Sequence, residues 1–369
     1  MAGKSLLFPL LPLPRPALDK NPALLTVGDV GFGGKGVARH EGKVVFVPFV
    51  LGGEVVLAKT TREHKSFSEA SLVKVLQPSE HRTEPPCPYF GTCGGCAYQH
   101  ATYPHQLEIK QQQVKDTLRR IGKLDVPVEP TAPSPTPFGY RNRITVHVQD
   151  GDIGFFAFDE HVIVPIERCP IASEAVNAQL TDLRKRRPRD GHYTLREKAE
   201  ERTFRQTNDS VAELLANAVG DHLPARGPLL IDAYCGSGFF LKRFLDRFEQ
   251  AVGLEWSQYA VAAAQKHCAP NETYQLGDVA LLLDDTLTWA PPGTQLLLDP
   301  PNEGLAPQVI RSILAHPPEA ILSISCNPST LARDLGKLSA SYSIERVLPF
   351  DMFPQTAEIE VLAILKRKT

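Results

Sequence analysis

Hydrophobic and polar positions alternate over short distances in the first part of the chain. From Ala23 to about Gln77, runs rich in β-branched residues are separated by glycine turns, which predicts four or five short strands. So many strands in so short a stretch indicate a small barrel. Barrels of this size often bind oligonucleotides, but a barrel with a purely structural part fits the same pattern.

The middle of the chain mixes helix and strand patterns. A loop over residues 78–100 contains three cysteines and precedes a predicted helix from Tyr103 to Leu124. Residues 140–171 alternate again, which predicts an antiparallel unit, and Ser173 to about Thr203 is predicted to be mostly helical and polar. Together these patterns indicate a central α+β domain.

From about Phe204 onward, apolar strand-like runs alternate with helical ones. PLLIDA, AVGLE, QLLLDPP and AILSISC are each followed by a helical or turn pattern. This order predicts a doubly wound, Rossmann-like α/β sheet. Ligands of such sheets bind beyond the carboxyl ends of the strands, so the residues at those ends are the first candidates for chemistry.

Composition restricts the class of protein without naming it. Of the 369 residues, 42% are hydrophobic and 22% charged, which argues against wholesale disorder. No apolar run is long enough for a membrane-spanning helix, and the Pro-rich leader over residues 1–22 lacks a signal-peptide cleavage site. We therefore expect a soluble, cytoplasmic protein with no membrane partner.

The charge is balanced overall but not locally. The 40 Lys and Arg residues stand against 42 Asp and Glu, and a net charge of −2 excludes little because a basic patch can be local. Between Thr181 and Arg205, nine basic residues accompany five acidic ones, and they include the run Arg184–Arg189. This stretch is either a nucleic-acid contact or a solvated linker, and its pattern does not decide between them.

The first predicted strand of the C-terminal sheet ends in a glycine turn. Asp232 is followed by Gly236 and Gly238, which would let a ligand approach the backbone closely. Leu241 occupies the third glycine position of a dinucleotide fingerprint, so a nicotinamide cofactor is disfavoured.

Acidic residues also end the next two predicted strands. Glu255 lies 23 residues after Asp232, where a carboxylate could bind two ribose hydroxyls, and Asp278 ends the following strand. This layout is typical of Rossmann-like methyltransferases that use S-adenosylmethionine, which we therefore expect as the cofactor.

Two further strand ends carry reactive side chains. Asp299 follows the fourth strand in the sequence Asp-Pro-Pro, and Cys326 ends the fifth in Ser-Cys-Asn-Pro. Free cysteines are often buried core residues. A thiol at a ligand-binding edge is instead a candidate nucleophile, and we favour that interpretation for Cys326.

Four of the seven cysteines form a possible metal site. Cys87, Cys93 and Cys96 have the spacing C-x5-C-x2-C, and Cys169 follows 73 residues later. A disulfide framework does not suit so long a chain. Four thiolates can hold either zinc or a [4Fe–4S] cluster, and the spacing alone leaves both open.

Several ordered motifs resemble the RNA (uracil-5-)-methyltransferases of the TrmA/RumA type. From about Leu24 to the C-terminus they are VGDVGFGGKGVARHEG, CPYFGTCGGCAYQH, YRNRITVHV, FRQTN, DAYCGSG, DPPNEGL, SCNPSTLARDL and FPQTAEIE. The resemblance implies an α/β and β architecture that follows the leader. Its parts would be an OB-like (TRAM) barrel over residues 23–78, a central cluster-carrying domain over 79–203 and a methyltransferase domain over 204–369.

The resemblance also implies a mechanism. The Cys326 thiolate would add to C6 of uracil, which makes C5 nucleophilic towards the methyl donor. A general base would then remove the C5 proton, and the resemblance gives this part to Glu360. Glu358 lies two residues earlier, where relatives often carry His. Asp299 would hydrogen-bond the uracil edge or orient the reacting groups.

The same resemblance assigns the remaining site residues. The cofactor would be bound by Gln206, Asn208, Asp232, Tyr234, Gly236, Gly238, Glu255, Asp278 and Asp299. The four cysteines Cys87, Cys93, Cys96 and Cys169 would hold a structural [4Fe–4S] cluster, with zinc as the alternative. One position departs from the family pattern, because Asn302 follows Asp-Pro-Pro where many relatives carry Arg.

We expect an RNA substrate and no obligate protein partner. A uridine must leave the base stack to react, which suits single-stranded or folded RNA, recognised by the barrel and the Arg184–Arg189 run. Ribosomal RNA is favoured, and the tRNA T-loop is the alternative. An exocyclic-amino RNA methyltransferase would usually carry an aromatic residue at Asn302. A non-catalytic cluster protein would not need both Cys326 and Glu360.

Overall fold

The structure is a computed structural model that describes residues 22–197 and 206–368. The predicted leader over residues 1–22 therefore lies almost wholly outside the described residues. The same holds for part of the basic stretch and for the first two positions of the FRQTN motif: Lys198, Arg202, Phe204 and Arg205.

The chain divides into two compact units. Of the described residues, one unit holds those up to Asp29 together with Lys35–Ser79, and the other holds Val30–Gly34 together with those from Glu80 onward. The predicted boundary between residues 203 and 204 lies outside the described residues, so the division into four segments stays a prediction.

The first unit is a closed barrel with the strand order β1-β2-β3-β5-β4. Its strands are β1 (Ala23–Val30), β2 (Lys35–His40), β3 (Lys43–Pro48), β4 (Val55–Glu63) and β5 (Phe67–Gln77). Alternate side chains point inward, so Leu25, Val47 and Val56 fill the interior. A Cβ atom at Gly36 would lie 2.3 Å from Val50, which explains the glycine there. The expected small barrel is confirmed.

The second unit contains a four-stranded antiparallel sheet of order β8-β7-β6-β9. After α1 (Tyr103–Thr117), its elements are β6 (Arg143–Gln149), β7 (Asp152–Phe156), β8 (Ile163–Pro165), α2 (Glu174–Arg186) and β9 (Gly191–Arg196). The Ser173 hydroxyl caps the start of α2, and Val176 and Leu180 pack this helix against one face of the sheet.

Strand β9 differs from the mostly helical segment expected up to Thr203. Arg187 ends α2 in a left-handed conformation with φ of +46°. The chain then turns into a strand in which Leu195 is buried and Tyr193 packs against the same core, at a period of two. Burial against the sheet outweighs the polar composition of this segment. The helical prediction is therefore wrong for residues 191–196.

The larger sheet of this unit has seven strands in the order β12-β11-β10-β13-β14-β16-β15. Its strands are β10 (Gly227–Ala233), β11 (Phe248–Glu255), β12 (Glu272–Leu276), β13 (Gln295–Leu298), β14 (Ala320–Ser325), β15 (Tyr342–Phe350) and β16 (Glu360–Arg367). Strands β10 to β14 are parallel, and β16 runs antiparallel between β14 and β15.

Helices cover both faces of the larger sheet. They are α3 (Asp209–His222), α4 (Phe239–Phe244), α5 (Gln258–Ala264), α6 (Val279–Trp289), α7 (Pro307–Ala315) and α8 (Pro328–Leu338). Every residue of β13 and β14 is buried, as in a parallel sheet with two covered faces. The predicted doubly wound sheet is confirmed. No helix among the described residues is both long and apolar enough to cross a membrane.

Candidate active site

The carboxyl ends of the parallel strands β10 to β14 form one edge of the larger sheet, which we call the rim. Asp299 directly follows β13 and Cys326 directly follows β14. Ser325 of β14 is paired with Val361 of the antiparallel strand β16. Glu360, the first residue of β16, therefore lies beside Cys326. The structure brings these three predicted catalytic residues to the same edge.

The turn after β10 has an unusual backbone conformation. Tyr234, Gly236 and Gly238 have φ angles of +68°, +54° and +84°, in the left-handed region that glycine adopts most easily. A Cβ atom at Gly238 would lie 2.2 Å from the hydroxyl of Tyr274, whereas one at Gly236 would meet nothing within 4 Å. Gly238 thus permits close packing, and Gly236 leaves open space above the backbone.

Two buried carboxylates shape this turn. Oδ2 of Asp232 accepts the amide of Leu241 at 3.2 Å, and Glu255 accepts the amide of Gly236 at 3.0 Å. Oδ1 of Asp232 is buried and has no hydrogen-bond partner among the described residues. Burial and the nearby charge of Asp299 raise the pKa of Asp232 well above its ordinary value. An orphaned buried oxygen of this kind suggests that a ligand completes the site.

The two described residues of the FRQTN motif that were predicted to bind cofactor differ in what they contact. Asn208 is buried, and its Oδ1 caps α3 by accepting the amide of Val211 at 3.3 Å. Its Nδ2 donates to Ser134 at 3.0 Å and to the carbonyl of Met352 at 3.4 Å. Asn208 therefore holds elements together. Gln206 is half-buried, and its carbonyl rather than its side chain accepts the bond from a neighbouring asparagine amide.

The ends of β11 and β12 expose apolar surface. Trp256 is 74% exposed and Leu276 is 50% exposed, directly after or at the end of their strands. Asp278, two residues after Leu276, caps α6 by accepting the amide of Ala280 at 2.9 Å. Large exposed side chains beside polar groups are typical of a binding surface for a flat organic ligand.

Cys326 lies in an acidic environment. Its half-buried Sγ is 3.9 Å from Oδ1 of Asn302. Burial and the charges of Glu360 and Asp299 raise the pKa of the thiol to about 12. Burial also raises the pKa of Asp299 to about 7 and that of Glu360 well above its ordinary value. The thiol is therefore protonated in the free protein at neutral pH.

The loop after Asp299 is hydrogen-bonded by residues at the start of α8 and by an arginine within it. The carbonyl of Asn302 accepts bonds from Asn327 and Thr330, both at 3.2 Å. Arg333 donates to the carbonyl of Glu303 at 3.0 Å. The loop thus contacts an arginine although its own family position is Asn302. Arg333 lies within the quoted motif SCNPSTLARDL, but nothing in a single sequence marked it for this contact.

A buried ion pair holds residues 351–359, which we call the 351–359 loop, in front of Glu360. Lys110 of α1 and Asp351 are both fully buried, with Nζ and Oδ1 2.6 Å apart. The same Nζ donates to the carbonyls of Phe353 at 3.0 Å and Glu358 at 2.7 Å. Because Glu358 lies two residues before Glu360, this lysine fixes the approach to the candidate base.

Neighbouring glutamines strengthen this attachment. Gln106 donates to the side chain of Gln355 at 3.0 Å and accepts its backbone amide at 3.2 Å. The sequence analysis missed these residues. A signal exists, however, because Gln106, Lys110 and Gln113 are polar residues at helical spacing along α1, and all three are buried. A buried polar stripe must find hydrogen-bond partners elsewhere in the fold.

The four cysteines predicted to bind metal line one cavity of about 430 Å³. Burial raises the pKa of Cys93 to about 11 and that of Cys96 to about 12. Burial also raises the pKa of Cys169, which lies close enough to Cys87 to feel its charge. The loop cysteines and the distant fourth cysteine are therefore brought together.

Comparisons with known proteins agree with this architecture. A family model described as tRNA (Uracil-5-)-methyltransferase matches residues 292–368, and a TRAM domain model matches residues 24–73. An uncharacterised RNA methyltransferase of Bdellovibrio bacteriovorus is 33% identical and covers 93% of this chain and 94% of its own length. One from Synechocystis is 31% identical and covers 93% and 95%.

A solved structure has the same fold. The tRNA (uracil-54, C5)-methyltransferase of Pyrococcus abyssi, in complex with S-adenosyl-L-homocysteine, superposes with a TM-score of 0.72 at 22% identity and covers 93% of this chain and 99% of its own. The fold, the family model and the relatives together define an S-adenosylmethionine-dependent RNA methyltransferase. The chain belongs to the RNA (uracil-5-)-methyltransferase family, and the resemblance of its motifs is confirmed.

Proposed function

We propose that this protein forms 5-methyluridine in ribosomal RNA. The main support for this proposal is that Cys326, Glu360 and Asp299 lie close together at the rim. A thiol with two buried carboxylates has the groups needed to add to a pyrimidine and to move two protons.

The turn after β10 fits S-adenosylmethionine, which supplies an electrophilic methyl group when bound. Gly236 leaves open space, Oδ1 of Asp232 lacks a partner, and Trp256 exposes a flat apolar surface. The residues that we propose to line this site are Gln206, Asn208, Asp232, Tyr234, Gly236, Gly238, Glu255, Asp278 and Asp299. Among them, Asn208 would act by positioning the elements around the cofactor, because its hydrogen bonds go to other parts of the protein.

The protein's own groups carry out the covalent chemistry. A bond forms between Sγ of Cys326 and C6 of uracil, and the electrons of the C5–C6 double bond move towards C5 and O4. The thiol proton passes to Asp299, whose pKa of about 7 suits it to hold one. Once C5 carries its methyl group, Glu360 removes the C5 proton and the Sγ–C6 bond breaks, which restores the double bond.

We also propose that the four cysteines hold a structural [4Fe–4S] cluster. A zinc ion bound by four thiolates at about 2.3 Å would bring the sulfur atoms to about 3.8 Å from one another. No three sulfur atoms of these described cysteines lie mutually within 4.8 Å, a limit met by the half-buried His81 and His105 with the exposed Glu108. The wider spacing suits a larger group than a single zinc ion. Iron and zinc analysis of protein purified without oxygen distinguishes the two.

Transfer RNA is the alternative substrate, since both the matching family model and the Pyrococcus abyssi enzyme carry tRNA in their descriptions. An exocyclic-amino methyltransferase is less favoured, because Asn302 offers no aromatic ring and such chemistry needs no thiol. We favour ribosomal RNA because the chain has both the barrel and the four-cysteine central domain, a combination that resembles family members acting on ribosomal RNA.

One experiment tests the reaction and the substrate together. Purified protein is incubated separately with unmodified ribosomal RNA and tRNA and with labelled S-adenosylmethionine, and nucleosides and mapped fragments are analysed by mass spectrometry. We expect 5-methyluridine in ribosomal RNA. The same product in tRNA alone would correct the substrate, and label on adenine or cytosine would contradict the reaction.

A further inference from the structure

One face of the four-stranded sheet is covered by α2, and the opposite face carries matched polar pairs. Residues at alternate positions of β6 lie directly across from residues of β9. We call these three cross-strand pairs the pair face: Arg143 with Arg196, Thr145 with Thr194, and His147 with His192.

The arginine pair of the pair face brings like charges together, which costs stability. Arg143 and Arg196 are directly opposite each other, and like charges in that position destabilise a sheet. Burial and the charges of Arg196 and Arg141 lower the pKa of Arg143. The imidazole nitrogens of His147 and His192 are 3.4 Å apart, within hydrogen-bonding distance. A like-charged pair that costs stability and builds no core points to a ligand.

One end of the pair face borders the cavity of about 430 Å³ that the four cysteines line. The described residues that line this cavity also include four arginines and no carboxylate: Arg141, Arg143, Arg168 and Arg196. Arg168 is paired with Glu174 outside the set. Nε of Arg196 and Oγ1 of Thr207, which also lines the cavity, are buried without a hydrogen-bond partner. Unsatisfied donors beside these arginines suit an anionic group, and a phosphate at the pair face would be one.

Stacking groups continue the pair face at its other end. The ring of Phe156 on β7 lies 4.1 Å from that of His147, at an interplanar angle of 32°. Between the rings and the arginines, the hydroxyls of Thr145 and Thr194 are 3.1 Å apart and face solvent. The pair face therefore presents arginines, hydroxyl groups and aromatic rings in a row. Such a surface suits a single strand of RNA, because its phosphates bind arginine and its bases stack on rings.

We propose that the pair face binds a single-stranded segment of the RNA substrate, with phosphates at Arg143 and Arg196 and a base against Phe156. The proposal rests on the proposed function in taking RNA as the substrate. It assigns this contact to an exposed sheet face, whereas the basic run of α2 lies on the helix that covers the opposite face.

The test compares three variants of the full-length protein in binding to a mixed-sequence single-stranded RNA and to its duplex. For Arg196→Gln and for the double variant with Arg143→Gln, we expect affinity for the single strand to fall. The dependence of log affinity on log salt concentration should become shallower by about 0.7 for each lost phosphate contact. Phe156→Ala should weaken binding by about 5- to 100-fold with the salt dependence unchanged.

Control measurements separate this role from others. Arg226→Gln removes an exposed arginine before β10, at the end of that strand opposite to the rim, and should leave RNA affinity unchanged. Iron content and S-adenosylmethionine affinity should be unchanged in every variant. Loss of iron with RNA affinity retained would show that the arginines serve the cysteine site and would overturn the proposal, as would unchanged salt dependence.

Binding is measured without turnover, so the two proposals can fail separately. If the Arg196→Gln variant binds RNA more weakly but the unaltered protein forms no 5-methyluridine, the RNA contact at the pair face is supported and the proposed reaction is rejected. If the Arg143→Gln, Arg196→Gln variant methylates uridine with an unchanged KM for RNA, the RNA contact at the pair face is rejected and the proposed reaction is supported.

Discussion

Two buried groups of charged residues in the same compact unit differ in whether their charges are paired. At the 351–359 loop, Lys110 and Asp351 neutralise each other and the lysine's remaining hydrogens bind carbonyls. At the rim, Asp299 and Glu360 lie together, and no described cation forms an ion pair with either. The paired charges hold the backbone of the 351–359 loop in place. The unpaired carboxyl groups at the rim have raised pKa values and can therefore take up and release protons.

The difference has an energetic meaning. The buried pair of Lys110 and Asp351 still has one oxygen, Oδ2 of Asp351, without a hydrogen-bond partner among the described residues, but removing either partner would leave an uncompensated buried charge, which costs more. Like charges in a buried site instead oppose folding and raise each other's pKa. Replacing a charge should therefore destabilise the protein at the 351–359 loop and stabilise it at the rim.

The largest expected effect is on turnover when the rim loses its thiol. Cys326→Ala should lower the methylation rate by about 10⁴-fold or more, because no other group can add to C6. The rate of label incorporation measures the loss, and calorimetry should show unchanged affinity for S-adenosylmethionine. Cys268→Ala, which alters an exposed cysteine, is the matched control. Substantial turnover without Cys326 would remove it as nucleophile.

The next effect concerns the carboxylate beside it. Glu360→Gln should lower turnover by about 10²- to 10⁴-fold and accumulate an RNA adduct that survives denaturing electrophoresis, because addition precedes proton removal. The double variant with Cys326→Ala should form no adduct. If Glu358→Gln rather than Glu360→Gln traps RNA, the base lies two residues earlier in the chain.

At the 351–359 loop the same kind of change should act on stability. Lys110→Met should lower the free energy of unfolding by about 3–5 kcal/mol, since Asp351 is left buried and unpaired. Urea denaturation measures the loss. Adding Asp351→Leu should restore part of it, but not all, because two carbonyls still lack their donor. A double variant no more stable than the single one would contradict the pairing argument.

Much of the rim could be predicted from sequence because each residue follows a recognisable strand. Asp299 and Cys326 each end an apolar run, and parallel strands place such ends at one edge. Lys110 could not be assigned in this way, because its partner lies 241 residues away and neither residue belongs to a periodic apolar pattern. The same limit explains β9, whose strand conformation depends on pairing with β6 rather than on its own composition.

The smallest expected effect is a pH-dependent shift in melting temperature. The pKa of Glu360 is raised in the folded state, so the contribution of this one group to stability is greatest at low pH and is lost as pH rises from about 4.3 through the folded pKa. Glu360→Gln removes this loss. Its melting temperature should exceed that of wild type at pH 8 more than at pH 5, by about 2–4 °C for each pKa unit of the rise.

The exposed Glu249 provides a control for that measurement. Glu249→Gln should give the same difference from wild type at both pH values, because the side chain remains in water in either state. A Glu360→Gln variant less stable than wild type at pH 8 would mean that the rim carboxylates are compensated after all, and the contrast with the 351–359 loop would be lost.

The attachment of the 351–359 loop to α1 also bears on how the enzyme is made. The contacts of Lys110 with Asp351 and of Gln106 with Gln355 span 241 and 249 residues. Contacts so distant along the chain close late and slowly during folding. The barrel can fold while the chain is being synthesised. The residues after Cys96 and the candidate base Glu360 cannot complete their contacts until residues 351–359 have emerged, because the amides of Ala97 and Tyr98 both donate to the carbonyl of Gln355. A partly synthesised chain is therefore able to form its earlier elements before it can methylate anything.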